Sequence, residues 1–282
     1  MQEPQAIPPQ KSPGSASVDP LEERLRRWLK DQGYPLELRT ARAFREKGRV
    51  RQSDYYWDAE ADCYREIDVL VQMRAEPRRL SGWLDMLLCI EVKSAPDKPW
   101  VLFSGSEDSP LHPIASVVQR IASAPTSKWL RPAARSPEVR DLPLLAVESY
   151  AGHNLIRASL GPNQREDIAY KAILSAIKAA HWEASRRDQN PNGVEISTIA
   201  FPVVVIDAPL FKCSLDETSD ELKLWRVDSG TLIWRNSLAP TNAPHTMVHI
   251  VTEPALPEFS ERAGQTLEGL ERAYTRFHTR NR

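Results

Sequence analysis

Two stretches, REIDVLV at residues 65–71 and LLCIEVKSA at residues 87–95, are apolar enough to be buried strands, yet each carries charge in its middle. That combination constrains the chain more than any other, because a buried ion is costly unless a partner meets it. In a strand, residues two apart share a face. Glu91 and Lys93 therefore point one way while Ile90 and Val92 point the other, and Asp68 alternates likewise against Ile67 and Val69. The runs are close enough in sequence to pair as neighbours, and in a suitable register Asp68 meets Glu91. Two adjacent carboxylates repel. A hard divalent cation removes both the repulsion and the burial cost, since Mg²⁺ takes oxygen from one or two carboxylates and keeps water for a substrate.

The whole-chain balance adds little to this. With 282 residues and 41% hydrophobic content the chain can bury a real core, and a soluble α/β protein is the default expectation. A net charge of -1 points to neither nucleic acid nor membrane, so electrostatics must be read locally. Cys63, Cys89 and Cys213 lie far apart with no CxxC, as expected of reduced, structural thiols in a cytoplasmic protein. The N-terminus has no apolar signal region, and no later apolar run approaches the roughly 20 residues that span a bilayer. No membrane partner is expected. GxSxG and GxxxxGK[ST] are both missing, which argues against that type of serine hydrolase and against a P-loop NTPase.

Along the chain, residues 1–18 are rich in Pro, Ser and Gln and predict a disordered tail. Asp19 followed by Pro20 predicts a helix start, with Leu21, Leu25, Trp28 and Leu29 on one stripe and an end near Gly33. A second helix is expected from Pro35 to a stop at Gly48. Strands are expected over VRQSDYYWD, REIDVLVQM and LDMLLCIEVKSA, then a helix over residues 111–124 and a buried strand over residues 142–150. Farther on, Asn163 and Glu166 form a capping-box pattern ahead of a helix striped by Ala169, Ile173, Ala176, Ile177 and Ala180, and NPNG at residues 190–193 reads as a turn. Strands FPVVVIDAPLF, ELKLWRV, GTLIWRN and MVHIV and a last helix complete the chain. With no repeat and no long linker, residues 151–282 are expected to extend the sheet of residues 19–150 within one domain.

For EVK alone, a structural salt bridge is the plainer explanation. The second such tripeptide, Glu221 to Lys223, lies beside Asp220 in a polar stretch and reads as a solvent-facing edge. The acid one strand earlier and the apolar frame on both strands distinguish the first. The pattern E…ID-x(22)-EVK resembles the PD-(D/E)XK nuclease superfamily, the restriction-endonuclease-like fold that includes Holliday junction resolvases and many restriction and defence nucleases. The order αβββαβ is similar to that superfamily's core, a mixed central sheet flanked by helices, here over residues 19–150 and extended by C-terminal strands and helices. The resemblance implies that Asp68 and Glu91 bind Mg²⁺ or Mn²⁺, with the Val92 carbonyl a further ligand, and that Lys93 positions or activates the attacking water. It also implies a glutamate on the preceding helix, acting with the metal and the catalytic residues, which Glu37 matches. The proline of the nominal first motif is replaced by Ile67.

Helical spacing bears on Glu37 independently, since it shares a stripe with Ala41 and Phe44, the face that should pack on the sheet. A first-turn glutamate stabilised by the positive helix end is the alternative. Residues 21–51 hold ten Lys/Arg against five Asp/Glu, so Arg39 and Arg42 are candidate phosphate contacts, or else a solvated face. Tyr55, Tyr56 and Trp57 read as core rather than as base-stacking groups, His245 and His249 as strand residues rather than a metal pair, and Gln119 as a phosphate contact or surface. Together these readings predict a metal-dependent nuclease acting on DNA in restriction, repair or phage defence. The alternatives are a catalytically silent nucleic-acid-binding or scaffolding protein, with a homodimer left open, and an unrelated α/β protein.

Overall fold

The computed structural model describes residues 19–77, 82–104, 121–147, 151–159, 168–187, 196–216, 218–235 and 245–280. The expected tail over residues 1–18, the capping box at Asn163, the NPNG turn and Gln119 lie outside them.

Helix α1 (Pro20–Asp31) starts where expected, with the Asp19 carboxylate accepting a hydrogen bond from the Leu21 N–H at 2.9 Å. Gly33, at φ 83°, makes the left-handed corner that glycine alone adopts without strain and leads into α2 (Tyr34–Ala43). Helix α2 ends before Gly48, and turns cover the gap. Its buried stripe of Leu36, Thr40 and Ala41 continues to Phe44 and seats the helix on the sheet.

Strands β1 (Arg49–Asp58), β2 (Cys63–Ala75) and β3 (Trp83–Lys93) form the expected antiparallel meander. The chain continues through β4 (Trp100–Ser104), α3 (Ala124–Ala133), the short α4 (Pro137–Arg140), β5 (Gly152–Arg157) and α5 (Ile168–Arg186). It closes with β6 (Ile196–Ile206), β7 (Leu210–Leu215), β8 (Leu222–Val227), β9 (Ser229–Arg235), β10 (His245–Thr252), a 3₁₀ turn at Glu253–Ala255 and α6 (Leu256–Arg280). All the strands join one mixed sheet of order β1-β2-β3-β6-β10-β9-β5-β4-β7-β8. On one face α2, α3 and α6 cover Val69, Leu88, Ile90 and Phe201. On the other, the alanine-rich side of α5 covers Leu87, Cys89, Ala200 and Val204.

Several expectations need correction. The helix and strand that complete the expected core do not lie before residue 150, because β3 pairs in parallel with β6 from Trp83↔Ile196 to Lys93↔Ile206. The helix and strand that follow the meander in space are therefore α5 and β6, and residues 94–167 come between β3 and α5 in the chain. Residues 141–147 form turns rather than a strand, and 148–150 lie outside the described residues. The apolar Leu144 is buried there, but its N–H is satisfied by the Thr266 hydroxyl of α6 at 3.0 Å, so no strand partner is needed. Of the expected helix over 111–124 only residues 121–124 are described. Ala122 bridges to Ile199, and α3 begins at Ala124. FPVVVIDAPLF is two strands, broken at Asp207. Among the described residues no helix is long and apolar enough to cross a membrane.

Candidate active site

The first motif acid stands at a gap in the hydrogen-bond ladders. The β1–β2 pairing skips Asp68 and its opposite number Ser53, which takes the left-handed φ of 51°, while the β2–β3 ladder ends at Val69↔Ile90. Where that ladder stops, the Asp68 carboxylate takes its place: Oδ2 accepts the Val92 N–H at 2.6 Å. The same oxygen lies 3.9 Å from Lys93 Nζ, which donates to Glu91 Oε1 at 2.6 Å and to the Val92 carbonyl at 3.0 Å. Asp68, Glu91, Val92 and Lys93 thus meet at one ammonium. The strand alternation that aims Glu91 and Lys93 together is the feature read from EVK.

Glu91 is held from a second direction. Ser175 of α5 donates to Glu91 Oε2 at 2.8 Å, and the Tyr56 hydroxyl donates to Ser175 Oγ at 3.4 Å. Tyr56 is buried, as expected of an aromatic strand, and burial lifts its phenol above the ordinary value, so it remains a donor. Tyr55 is exposed and Trp57 packs edge-on against Tyr64. Helix α2 brings Glu37 to the same region, half-buried and without an ion-pair partner among the described residues. Burial raises its carboxyl, and the charges of Glu66 and Glu91 raise it further against the pull of Lys93.

The electrostatics are those of too many carboxylates around one cation. Burial, then the charge of Glu91, pushes the Asp68 carboxyl up to about 7, against the opposing effects of Lys93 and the Val92 N–H. For Lys93, burial works to lower the ammonium, but Glu91 and Asp68 override it and hold the group above its ordinary value. At the far side of the site, Asp207 accepts from Ser94 Oγ at 2.5 Å and from the Ala95 N–H at 2.8 Å, fixing the end of β3 to the end of β6.

A divalent cation fits the chemistry of this donor set. Asp68 and Glu91 supply hard oxygens, both reach the same ammonium, and their mutual repulsion is incompletely relieved by it. Among the described residues no three carboxylate, imidazole or thiol groups form a ready-made cage. Two carboxylates with water and phosphate oxygen suffice for Mg²⁺.

Other expected site residues lie elsewhere. Arg39 forms a two-bonded ion pair with Glu253, its Nη2 donating to Oε2 at 3.0 Å. Arg42 is exposed and lines a cleft between α2 and α6 with Arg45, Lys47, Glu46, Glu258 and Glu261, three cations against three carboxylates. Lys47 pairs with Glu261 at 2.6 Å and Arg51 with Asp54 at 3.0 Å, so much of the local basic excess is neutralised within the fold. His249 is buried between Phe201 and Phe259, and burial with the Arg262 charge lowers it to about 3. It is a neutral core residue. Glu221 and Lys223 lie on the exposed edge at β8, as read.

Sequence reasoning missed Ser175 and Tyr56 as supports of Glu91, and Asp207 as the clamp on β3. A serine between Ala172, Ala176 and Ala179 on the buried side of α5 was the available signal, because a hydroxyl on such a face needs a partner. No protein-family model matches the chain, and no curated protein or solved structure matches it either.

Proposed function

We propose that the chain is a divalent-cation-dependent nuclease that hydrolyses phosphodiester bonds, with DNA the expected substrate. The observation that carries this is the meeting of Asp68, Glu91 and the Val92 carbonyl on the Lys93 ammonium at the end of β3. The order α2, β1, β2, β3, α5, β6, in which the last strand lies parallel to β3, supports the resemblance to the PD-(D/E)XK superfamily.

Asp68 and Glu91 would hold Mg²⁺ or Mn²⁺, which when bound polarises a phosphoryl oxygen and makes water a better nucleophile. Ser175 fixes the Glu91 carboxylate so that its two oxygens keep separate duties, one toward Ser175 and one toward Lys93. The Lys93 ammonium orients the attacking water and meets negative charge that grows on the phosphate as the new O–P bond forms and the bond to the leaving alkoxide breaks. Glu37, whose carboxyl feels the Lys93 charge, would share in positioning that water.

The test is cleavage of single-stranded and duplex DNA by the full chain with Mn²⁺, with Mg²⁺ and with chelator. Cleavage confined to the metal-containing reactions and lost in Lys93→Ala is the expected result. Equal cleavage by Lys93→Ala would sink the mechanism. A second reading, a silent binding protein on the same fold, draws on the 2.6 Å Lys93–Glu91 pair, which already neutralises one carboxylate without metal. Strand binding without turnover in any of the reactions would favour it.

A further inference from the structure

Arg39 and Lys47 are engaged by carboxylates, whereas the first helix carries exposed cations without such a partner among the described residues. Arg24, Arg27 and Lys30 of α1 are exposed and make no ion pair among the described residues, whereas Arg26 is engaged by Glu22 at 2.6 Å. Helix α1 is also the element least used by the core. Its apolar stripe does not face the sheet: Leu21 is 61% exposed, Leu25 50% and Trp28 52%, and only Leu29 is half-buried. Tyr34, at the start of α2, is 47% exposed and its ring centroid lies 6.4 Å from that of Trp28 at 42°. The two rings are too far apart and too inclined to stack on each other.

This surface adjoins the candidate active site. The corner between α1 and α2 is Gly33, where an added Cβ would stand 3.4 Å from the Cβ of Ser94, the residue after Lys93. Glu37 follows Tyr34 by one helical turn. Exposed apolar stripes mark contact sites. Here the stripe holds two accessible aromatic rings, and Arg24 lies on it one turn before Trp28, with Arg27 beside it. Cations that track a backbone and rings on which bases stack are what a single strand requires. A duplex offers only the phosphates, since its base faces are already stacked on one another.

We propose that α1 and Tyr34 form a platform for an unpaired nucleic-acid strand, with bases on Trp28 and Tyr34 and phosphates on Arg24 and Arg27. It delivers that strand to the carboxylates at the end of β3. The proposal rests on the nuclease reading for what happens to the strand, but not for its binding.

The experiment measures fluorescence anisotropy of labelled oligo-dT, oligo-U and a duplex of equal length, titrated with the full chain in chelator so that no strand is cut. Wild type should bind a single strand more tightly than the duplex, the two oligomers deciding between DNA and RNA. Trp28→Ala and Tyr34→Ala should each weaken that binding by about 5- to 100-fold. Both rings are half-exposed, so the thermal transition should move little. Replacing Arg24 and Arg27 with Gln should lower the salt slope by about 0.7 for each phosphate that the protein no longer neutralises. Ring variants that bind as wild type does, or a wild type with no preference for the single strand, overturn the proposal. So does a wild-type dimer that Trp28→Ala turns into a monomer without changing strand affinity, which would assign the stripe to a protein contact. Strand binding through Trp28 with no cleavage in Mn²⁺ would keep the platform and discard the nuclease. Cleavage indifferent to Trp28 and Tyr34 would do the reverse.

Discussion

Asp68 is held in a state that costs the fold stability. Its carboxyl rises from 3.8 to about 7 because burial and the nearby Glu91 charge disfavour ionisation. The native protein therefore binds this proton more tightly than the unfolded chain does. Its contribution is favourable at low pH and is lost as pH climbs from about 4 through about 7. Asp68→Asn keeps an oxygen for the Val92 N–H and removes the charge. Calorimetry without metal should find the mutant more stable than wild type at pH 7.5, by about 2–4 °C for each kcal/mol recovered, with the two curves converging near pH 4. A constant offset across that range would contradict the assigned cause. Ser175→Ala should lower Mn²⁺ affinity by about 10- to 100-fold in titration calorimetry, the usual effect of removing a group that orients a metal-binding carboxylate. Unchanged affinity would reduce Ser175 to packing. At this scale Asp68, Glu91 and Lys93 were legible because strand alternation alone sets their face. Ser175 and the Glu253 partner of Arg39 were not, since they lie 84 and 214 residues from the groups they hold and only the fold brings them there.

The position of α2, and with it Glu37, depends on the turn at Gly48. A Cβ at Gly48 would stand 2.4 Å from the backbone carbonyl of Gln72 on β2, and a strand backbone cannot move aside as a flexible side chain can. Gly48→Ala should therefore destabilise the protein by about 1–3 kcal/mol, in the range of overpacking substitutions, visible as a lower Tm. A neutral effect would mean that β1 and β2 part more easily than their long ladder suggests. The meander and α2 were legible because period-2 and period-3.6 patterns are long there. Helix α3 was not: it carries Pro125 and Pro132, residues that disfavour a helix interior, although the first sits in the opening turn, where no N–H is needed. The five-residue β4 and six-residue β5 are too short for a period to stand out, and each draws its stability from neighbours distant in sequence. In residues 142–147 the apolar run was real, but burial under α6 does not require a strand.

For the molecule as a whole, the continuous β3–β6 pairing makes the two halves of the chain inseparable. A fragment of residues 19–150 should show no cooperative thermal transition, because β3 would lack its central partner. A sharp transition in that fragment would restore the boundary at residue 150. That the second half extends the same sheet was legible from the lack of any linker. Its insertion into the middle was not, since strand order is decided by long-range contacts that no local pattern records. The same pairing sets a timetable for a chain being made. Strand β3, buried along nearly all its length in the finished protein, leaves the ribosome about 100 residues ahead of β6. At the usual pace of synthesis its apolar edge stays open for roughly 5–20 s. During that interval the nascent chain offers a ready template for pairing with its own copies, and a holding chaperone should raise the yield of folded protein most when it acts between those two moments.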